Sequence, residues 1–353
     1  MKTVSTRTFS DRLLTWYNHH GRKDLPWQIK KTPYSIWVSE IMLQQTQVKT
    51  VIPYFKKFIV SFPTLRVLAE ASLDDVLHHW SGLGYYARAR NLHKTACLVN
   101  EKFSAQLPLD MDGLCLLPGI GRSTAGAILA LSCNQKHPIL DGNVRRVFTR
   151  HKAIKGWPGT TMVQNVLWKI AEDNTPSNRV ADYTQAIMDL GATICTRSHP
   201  RCELCPVNKD CIAHSRGQEA EFPHKNIKKT NPLKTTNMLF LRFEDRIYLE
   251  RRPSSGVWGG LWSFPEISKD CSVSDWYQSR FGTYPLKISR WKTLQHKFSH
   301  FDLKIHLFKA EPDIAIKNIA NNDSALWYKS DSQTRIGLAA PVKKLLETQF
   351  NIQ

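Results

Sequence analysis

Four cysteines crowd into seventeen residues as Cys195-x6-Cys202-x2-Cys205-x5-Cys211, and this spacing constrains the chain more than any other feature. Thiolates at that density form a metal or cluster site. Structural zinc is one occupant that such a set accepts. Zinc ribbons, however, usually carry two Cys-x2-Cys knuckles joined by a long arm, and this stretch has one such pair with unequal flanks. A disulfide framework fits poorly: Cys97, Cys115, Cys133 and Cys271 are scattered, whereas secreted disulfide scaffolds are small and cysteine-dense. Between the first two clustered cysteines lie Arg197, His199 and Arg201. A loop pinned by a metal centre would hold these cations against phosphates.

The charge balance points the same way. Lys and Arg number 49 against 30 Asp and Glu, a formal +19, and such an excess favours a polyanionic partner. A membrane is not expected. The longest apolar stretch, around Ala125–Cys133, is about half of the ~18–20 residues needed to span one. Met1–Ser10 has no apolar signal core. A soluble protein of a reducing compartment is the expectation.

With 353 residues the chain is long enough for two domains. Residues 8–194 read as helices joined by short turns. Ile41, Val48, Val51, Ile52, Phe55, Phe58 and Ile59 follow helical spacing, with Pro53 near a start or kink. Leu73–Trp80, Arg88–Val99, Ser123–Leu131, Val144–His151, Met162–Glu172 and Tyr183–Leu190 are further helical candidates. Past the cysteines, Arg216–Thr236 has linker composition. Beyond it Met238–Phe243 and Ile247–Glu250 read as strands around Glu244-Asp245, and Phe301–Leu307 alternates at strand period. The expected organisation is a mainly α domain over 1–215, a linker over 216–236 and an α+β domain over 237–353.

Three further patterns carry chemistry. Leu117-Pro118-Gly119-Ile120-Gly121 runs straight into the Ser123–Leu131 helix. Its glycines permit a tight turn whose amides face outward at a helix N-terminus, a site suited to one phosphate. Met111–Leu117 would be the first arm of the hairpin, and an ordinary turn between core helices is the plainer alternative. Glu40 and Asp141 form a candidate carboxylate pair. Glu40 reads as sharing a helix face with Gln44 and Gln47; a solvated face is the plainer alternative, but Trp37, Val38, Ile41 and Met42 flank it, so partial burial and a raised pKa are the expectation. Asp141 immediately precedes a helix and suits an N-cap. Finally, Gly82–Arg90 combines flexible glycines with Tyr85, Tyr86, Arg88 and Arg90, a mixture suited to wedging into a base stack with phosphate anchoring, with structural core tyrosines as the plainer alternative.

Together these residues resemble the helix–hairpin–helix DNA glycosylase superfamily, and within it the MutY family of adenine DNA glycosylases. The likeness runs from about Phe9 to Leu346. It rests on Trp37–Gln47, Gly82–Arg90, Leu117–Ala127, Pro138–Val147 and the four-cysteine loop. It implies a helix–hairpin–helix glycosylase domain whose loop 195–211 holds a [4Fe–4S] cluster on Cys195, Cys202, Cys205 and Cys211, plus a NUDIX-like C-terminal domain. The implied activity is monofunctional removal of adenine opposite 8-oxoguanine, and opposite guanine, from duplex DNA by base flipping.

Carried over in the same way, Glu40 is the acid that protonates adenine. Asp141, assisted by Asn143, stabilises the oxocarbenium-like sugar. Gln44, Gln45, Tyr85, Arg88, Gly119, Gly121, Ser123, Arg197 and Arg201 are the implied DNA contacts, and Phe298, Ser299 and His300 the loop that meets 8-oxoguanine. Bifunctional relatives place a lysine at Ser123, and a hydroxyl cannot form their Schiff base. Arg252-Pro253, Gly256–Trp262 and Phe264-Pro265 carry the NUDIX likeness, but Ile267–Phe281 lacks the carboxylates of a hydrolytic NUDIX helix. A monomeric, cytoplasmic, nucleoid-associated bacterial protein is the expectation.

Overall fold

The computed structural model describes residues 7–226, 230–298, 300–312, 323–329 and 334–350. Its contacts divide into two units, Met1–Glu70 with Asn91–Ile227, and Ala71–Arg90 with Lys228–Gln353. No helix among the described residues is long and apolar enough to cross a membrane.

The first unit is helical, and its helices start where the sequence supplies caps. Helix α1 (Phe9–His20) opens with a capping box between Thr8 and Asp11. After a single turn α2 (Pro26–Ile29), α3 (Pro33–Leu43) begins with Thr32 as N-cap and Pro33 at its first position. Helices α4 (Val48–Ser61) and α5 (Leu65–Glu70) follow. The helical spacing from Ile41 to Ile59 therefore spans two helices. Gln44 is the C-cap of α3, Gln45 takes a left-handed φ of 58°, and Gln47 is the N-cap of α4. Glu40, Gln44 and Gln47 consequently do not share a helix face, and Pro53 lies inside α4.

Helix α6 (Leu73–Trp80) belongs to the second unit, and the boundary between units falls within α7 (Ala87–Phe103). Then come α8 (Met111–Cys115), α9 (Arg122–Cys133), α10 (Gly142–His151), α11 (Thr161–Asn174) and α12 (Val180–Asp189). A π-helical turn over Leu190–Ile194 leads into the cysteine loop, which closes on the short α13 (Ile212–Ser215). Helix α9 is buried on nearly every face, from Ala125 to Leu131, and packs against α3 and α12. It is the axis around which the site is built.

In the second unit β1 (Leu233–Phe243) and β2 (Arg246–Arg251) form the expected hairpin, although β1 starts five residues before the Met238 at which its apolar character begins. Short strands β3 (Trp262–Ser263) and β4 (Glu266–Ile267) lead to α14 (Val273–Phe281). Strands β5 (Lys287–Lys297), β6 (Asp302–Glu311) and β7 (Ala325–Lys329) and helix α15 (Ala340–Phe350) complete the unit. The sheet order is β3-β2-β1-β6-β5, with β1 and β6 parallel from Leu233 opposite Asp302 to Leu241 opposite Ala310. Helix α14 packs Val273 and Tyr277 onto Leu239, Leu241, Tyr248 and Ile267. Its first turn carries one acid, Asp275, in line with the missing metal-binding carboxylates.

Candidate active site and cysteine loop

Two helix ends bring the expected carboxylates together in the first unit. Glu40 stands in the last turn of α3, partly buried beside Trp37, Val38, Ile41 and Met42, all fully buried or nearly so. Loss of solvent, reinforced by the negative charge of Asp141, pushes its carboxyl up to about 8. Asp141 is the N-cap of α10. Its Oδ1 accepts from the Val144 backbone N–H at 2.8 Å and its Oδ2 from Asn143 Nδ2 at 3.2 Å. Burial raises this carboxyl too, but those hydrogen bonds and the Arg146 guanidinium oppose the shift. Asn143 is itself held, since Arg146 Nη2 donates to its Oδ1 at 2.9 Å.

The segment before Asp141 is clamped against α9. Gly126 passes so close that a Cβ there would lie 2.6 Å from the Pro138 carbonyl. Ser123 Oγ accepts from the Leu140 N–H at 3.0 Å. Ser123, expected to touch DNA, thus also positions the residue before Asp141. Gln44 Nε2 reaches Thr124 Oγ1 at 3.4 Å, while Gln45 is exposed on the left-handed turn after α3.

Helices α8 and α9 enclose the expected hairpin. Gly119 has φ +81°, and a Cβ there would meet Asn91 Cβ at 2.9 Å. Pro118 is fixed by Thr95 Oγ1, which donates to its carbonyl at 3.0 Å. Gly121 is the N-cap of α9 with no side-chain cap, so the first-turn amides remain available to an anion.

The four clustered cysteines line one cavity with Val147, Leu190, Ile194 and Val207. Burial raises Cys202 and Cys205 to about 12 and lifts Cys211, with the neighbouring sulfurs acting in the same direction. Thiols so placed ionise together only against a multivalent cationic centre, so the donor set fits a metal or cluster. His214 and Glu219, which sequence reasoning missed, join Cys202 in a group whose ligand atoms lie within 4.8 Å of one another. Arg150, also missed, donates to the carbonyls of Thr196, Arg197, Glu219 and Phe222 and to Cys195 Sγ at 3.4 Å. Arg146 donates to the Cys195 and Gly191 carbonyls. The signal for both was their i, i+4 spacing on α10. Arg197 and Arg201 are both exposed, and Arg201 also donates to the Thr193 carbonyl, bracing the loop.

In the second unit Tyr85 is half exposed at φ +49°, between Gly84 at +76° and the start of α7. Arg88 is not an exposed phosphate anchor. It is 9% exposed, its guanidinium donates to the Leu83 and Gly84 carbonyls and lies over the Trp80 and Tyr85 rings, and burial lowers it to about 10. Phe298 and His300 flank the turn between β5 and β6, with the Phe298 N–H donating to Phe301 O at 2.9 Å. Ser299 lies outside the described residues.

A glycine hairpin, paired carboxylates at two helix ends and a cysteine loop define a base-excision DNA glycosylase, here joined to a NUDIX-type sheet. Family models agree: residues 38–173 match the HhH-GPD superfamily of base excision DNA repair proteins, and 237–348 match the NUDIX domain. The adenine DNA glycosylase of Buchnera aphidicola subsp. Acyrthosiphon pisum is 42% identical over 342 residues, covering 96% of this chain and 97% of the relative. That of Rattus norvegicus is 34% identical, covering 96% and 77%. The solved structure of a thermostable thymine-DNA glycosylase, 27% identical, superposes with a TM-score of 0.54 over 59% of this chain and 95% of its own. The chain belongs to the MutY family of adenine DNA glycosylases: it is a base-excision repair enzyme that hydrolyses an N-glycosidic bond and acts on duplex DNA.

Proposed function

We propose that the enzyme removes adenine paired with 8-oxoguanine, and with guanine, after extruding the nucleotide from the stack, and that it does not cut the strand. The observation that carries the chemistry is two neighbouring buried carboxylates, one raised with nothing opposing the shift and one whose rise is opposed by hydrogen bonds and the Arg146 guanidinium. A Glu40 raised to about 8 holds its proton at neutral pH, and it can deliver that proton to N7 of an extruded adenine. The base becomes a tolerable leaving group, and the bond from C1′ to N9 breaks with its electrons going to the base. Asp141, steadied by Asn143 and the Val144 amide, faces the oxocarbenium-like sugar as an anion. Water then adds at C1′ and loses a proton, leaving an abasic site. Ser123 offers no amine to the sugar aldehyde, so no imine forms.

The cysteine loop fits a [4Fe–4S] cluster held by Cys195, Cys202, Cys205 and Cys211, whose role here is to hold the Arg197-bearing loop in shape. Gly119, Gly121 and Arg197 would grip phosphates. Gln44, Gln45 and Tyr85 would engage the opened pair, and Phe298 to His300 would meet 8-oxoguanine. The NUDIX-type unit is proposed as a reader without pyrophosphate hydrolysis.

The test is single-turnover adenine release from duplexes carrying A opposite 8-oxoguanine, G or T, with wild type and Glu40→Gln at fixed salt. Release opposite 8-oxoguanine but not T, lost in the variant, is the expected result. Unimpaired release by Glu40→Gln would remove Glu40 as the acid. Nicking of abasic DNA at the rate of base release would refute monofunctional action.

A further inference from the structure

The turn Gly256–Leu261 is strained and tightly tied. Gly256, Trp258 and Gly260 all have positive φ, at 84°, 51° and 74°. A tryptophan in the left-handed region persists only where its surroundings over-determine it. Here the Gly260 N–H donates to Pro253 O at 3.0 Å, the Leu261 N–H to Trp258 O at 3.0 Å, and Arg252 Nε to Val257 O at 2.8 Å. At Gly259 a Cβ would lie 2.6 Å from Ser254 O. The turn is therefore a stiff body rather than a loose loop.

It is fastened to two other segments of the same unit. At one end Arg90 Nη1 donates to the Gly259 carbonyl at 2.7 Å, and the Arg90 stem lies beside Gly260. Arg90 lies one helical turn past the Tyr85 turn. The stretch is held further by Asp74, which accepts from Arg251 Nη2 and from Trp262 Nε1. At the other end the Trp258 ring, 7% exposed, lies 5.3 Å from Phe298 and 5.2 Å from His296, and Phe298 stacks on Phe301 at 4.6 Å.

We propose that the Gly256–Leu261 turn is a rigid spacer fixing the Tyr85 turn and the Phe298 ring relative to each other, with Arg90 and Trp258 as its positioning residues. The proposal rests on the reading of those two elements as contacts to the 8-oxoguanine side of the opened pair. Two contacts on one lesion are productive only at a fixed separation, and small misplacements are costly. Neither Arg90 nor Trp258 needs to touch DNA. Arg90, which composition suggests as a phosphate anchor, instead spends one guanidinium nitrogen within the protein.

The experiment measures, in the full-length enzyme, the ratio of single-turnover adenine release opposite 8-oxoguanine to that opposite G. Trp258→Ala and Arg90→Met should each lower this ratio by about tenfold or more, and Trp258→Phe should restore most of it. Because both residues act through one body, the double variant should be no worse than the worse single variant. A general loss of stability would slow both substrates alike and leave the ratio unmoved. Thermal unfolding is followed for every variant, and if Trp258→Ala does not fold, Trp258→Leu and Arg90→Met decide. Folded variants whose ratio stays within about twofold of wild type, or a double variant whose losses multiply, would overturn the spacer alone. A wild-type enzyme with no preference for 8-oxoguanine over G would overturn the underlying reading and the spacer with it.

Discussion

Glu40 and Asp141 are both carboxylates in one partly buried site, yet they occupy opposite kinds of helix end. Glu40 stands in the last turn of α3, where carbonyls and the negative end of the helix dipole oppose ionisation, and its carboxylate accepts no hydrogen bond from any described residue. Asp141 caps the first turn of α10, where amides and the positive end favour the anion, and both of its oxygens are engaged. Burial alone would raise both. The backbone treats them differently: at Asp141 hydrogen bonds oppose the rise, whereas both influences on Glu40 push it up.

Removing the proton donor is the largest break of that contrast. Glu40→Gln should slow adenine release by roughly 10²–10⁴-fold, measured under single turnover with DNA binding checked separately. Wild-type release should fall as pH rises through about 8, the value to which Glu40 is pushed, and should fall on the acid side once Asp141 takes a proton. Stability should fall with rising pH as well. A folded carboxyl raised from 4.5 to about 8 contributes fully below 4.5, and that contribution is lost as pH rises through 8. The neutral Glu40→Gln side chain escapes this loss. Its unfolding free energy should therefore exceed wild type by an amount that grows between about pH 5 and pH 8, reaching on the order of a few kcal/mol. A difference constant across that range would mean that Glu40 is not desolvated.

The same contrast explains what could be read from sequence. Asp141 was legible because an aspartate directly before a helix has a local reason to be there. The glycine hairpin and the four cysteines were legible for the same reason, since their chemistry is written in short spacings. Glu40 was legible as a buried acid among apolar neighbours, but not the break after it. A left-handed Gln45 has no glycine to announce it, and the apolar spacing continues across the gap. The edge strand β5 escaped notice because its burial scarcely alternates. Arg88 reads as a surface cation until the fold wraps Leu83 and Gly84 around it. Arg146 and Arg150 act on carbonyls some fifty residues away, and a partner at that distance leaves no local trace.

Smaller effects should come from the contacts that hold Asp141 in place. Gly191 lies against α10 so closely that a Cβ would fall 2.6 Å from Asn143 Cβ and 3.1 Å from its backbone. Gly191→Ala must therefore push back the helix end that carries Asp141 and Asn143. Overpacking of this kind costs about 1–3 kcal/mol, and base release should fall by about 10²-fold while Glu40 keeps its alkaline limb in the pH profile. Loss of that limb in Gly191→Ala would mean that the two carboxylates are set by one support, not two.

Ser123→Ala is the mildest test, because it removes one acceptor and leaves the Leu140 N–H without its partner. The penalty for an unmet, partly buried donor is about 1 kcal/mol. Release should slow by roughly tenfold at most, through a shift of Asp141 rather than loss of a DNA contact. The measurement that separates these two accounts is the affinity of duplex binding at several salt concentrations. A hydroxyl that positions Asp141 leaves the slope against salt where it was. So does a hydroxyl that touches phosphate, being uncharged, but that one weakens binding at every salt concentration. Affinity for a duplex bearing a non-hydrolysable adenosine analogue should therefore match wild type in Ser123→Ala while turnover falls. Equal loss of both would return Ser123 to the DNA interface.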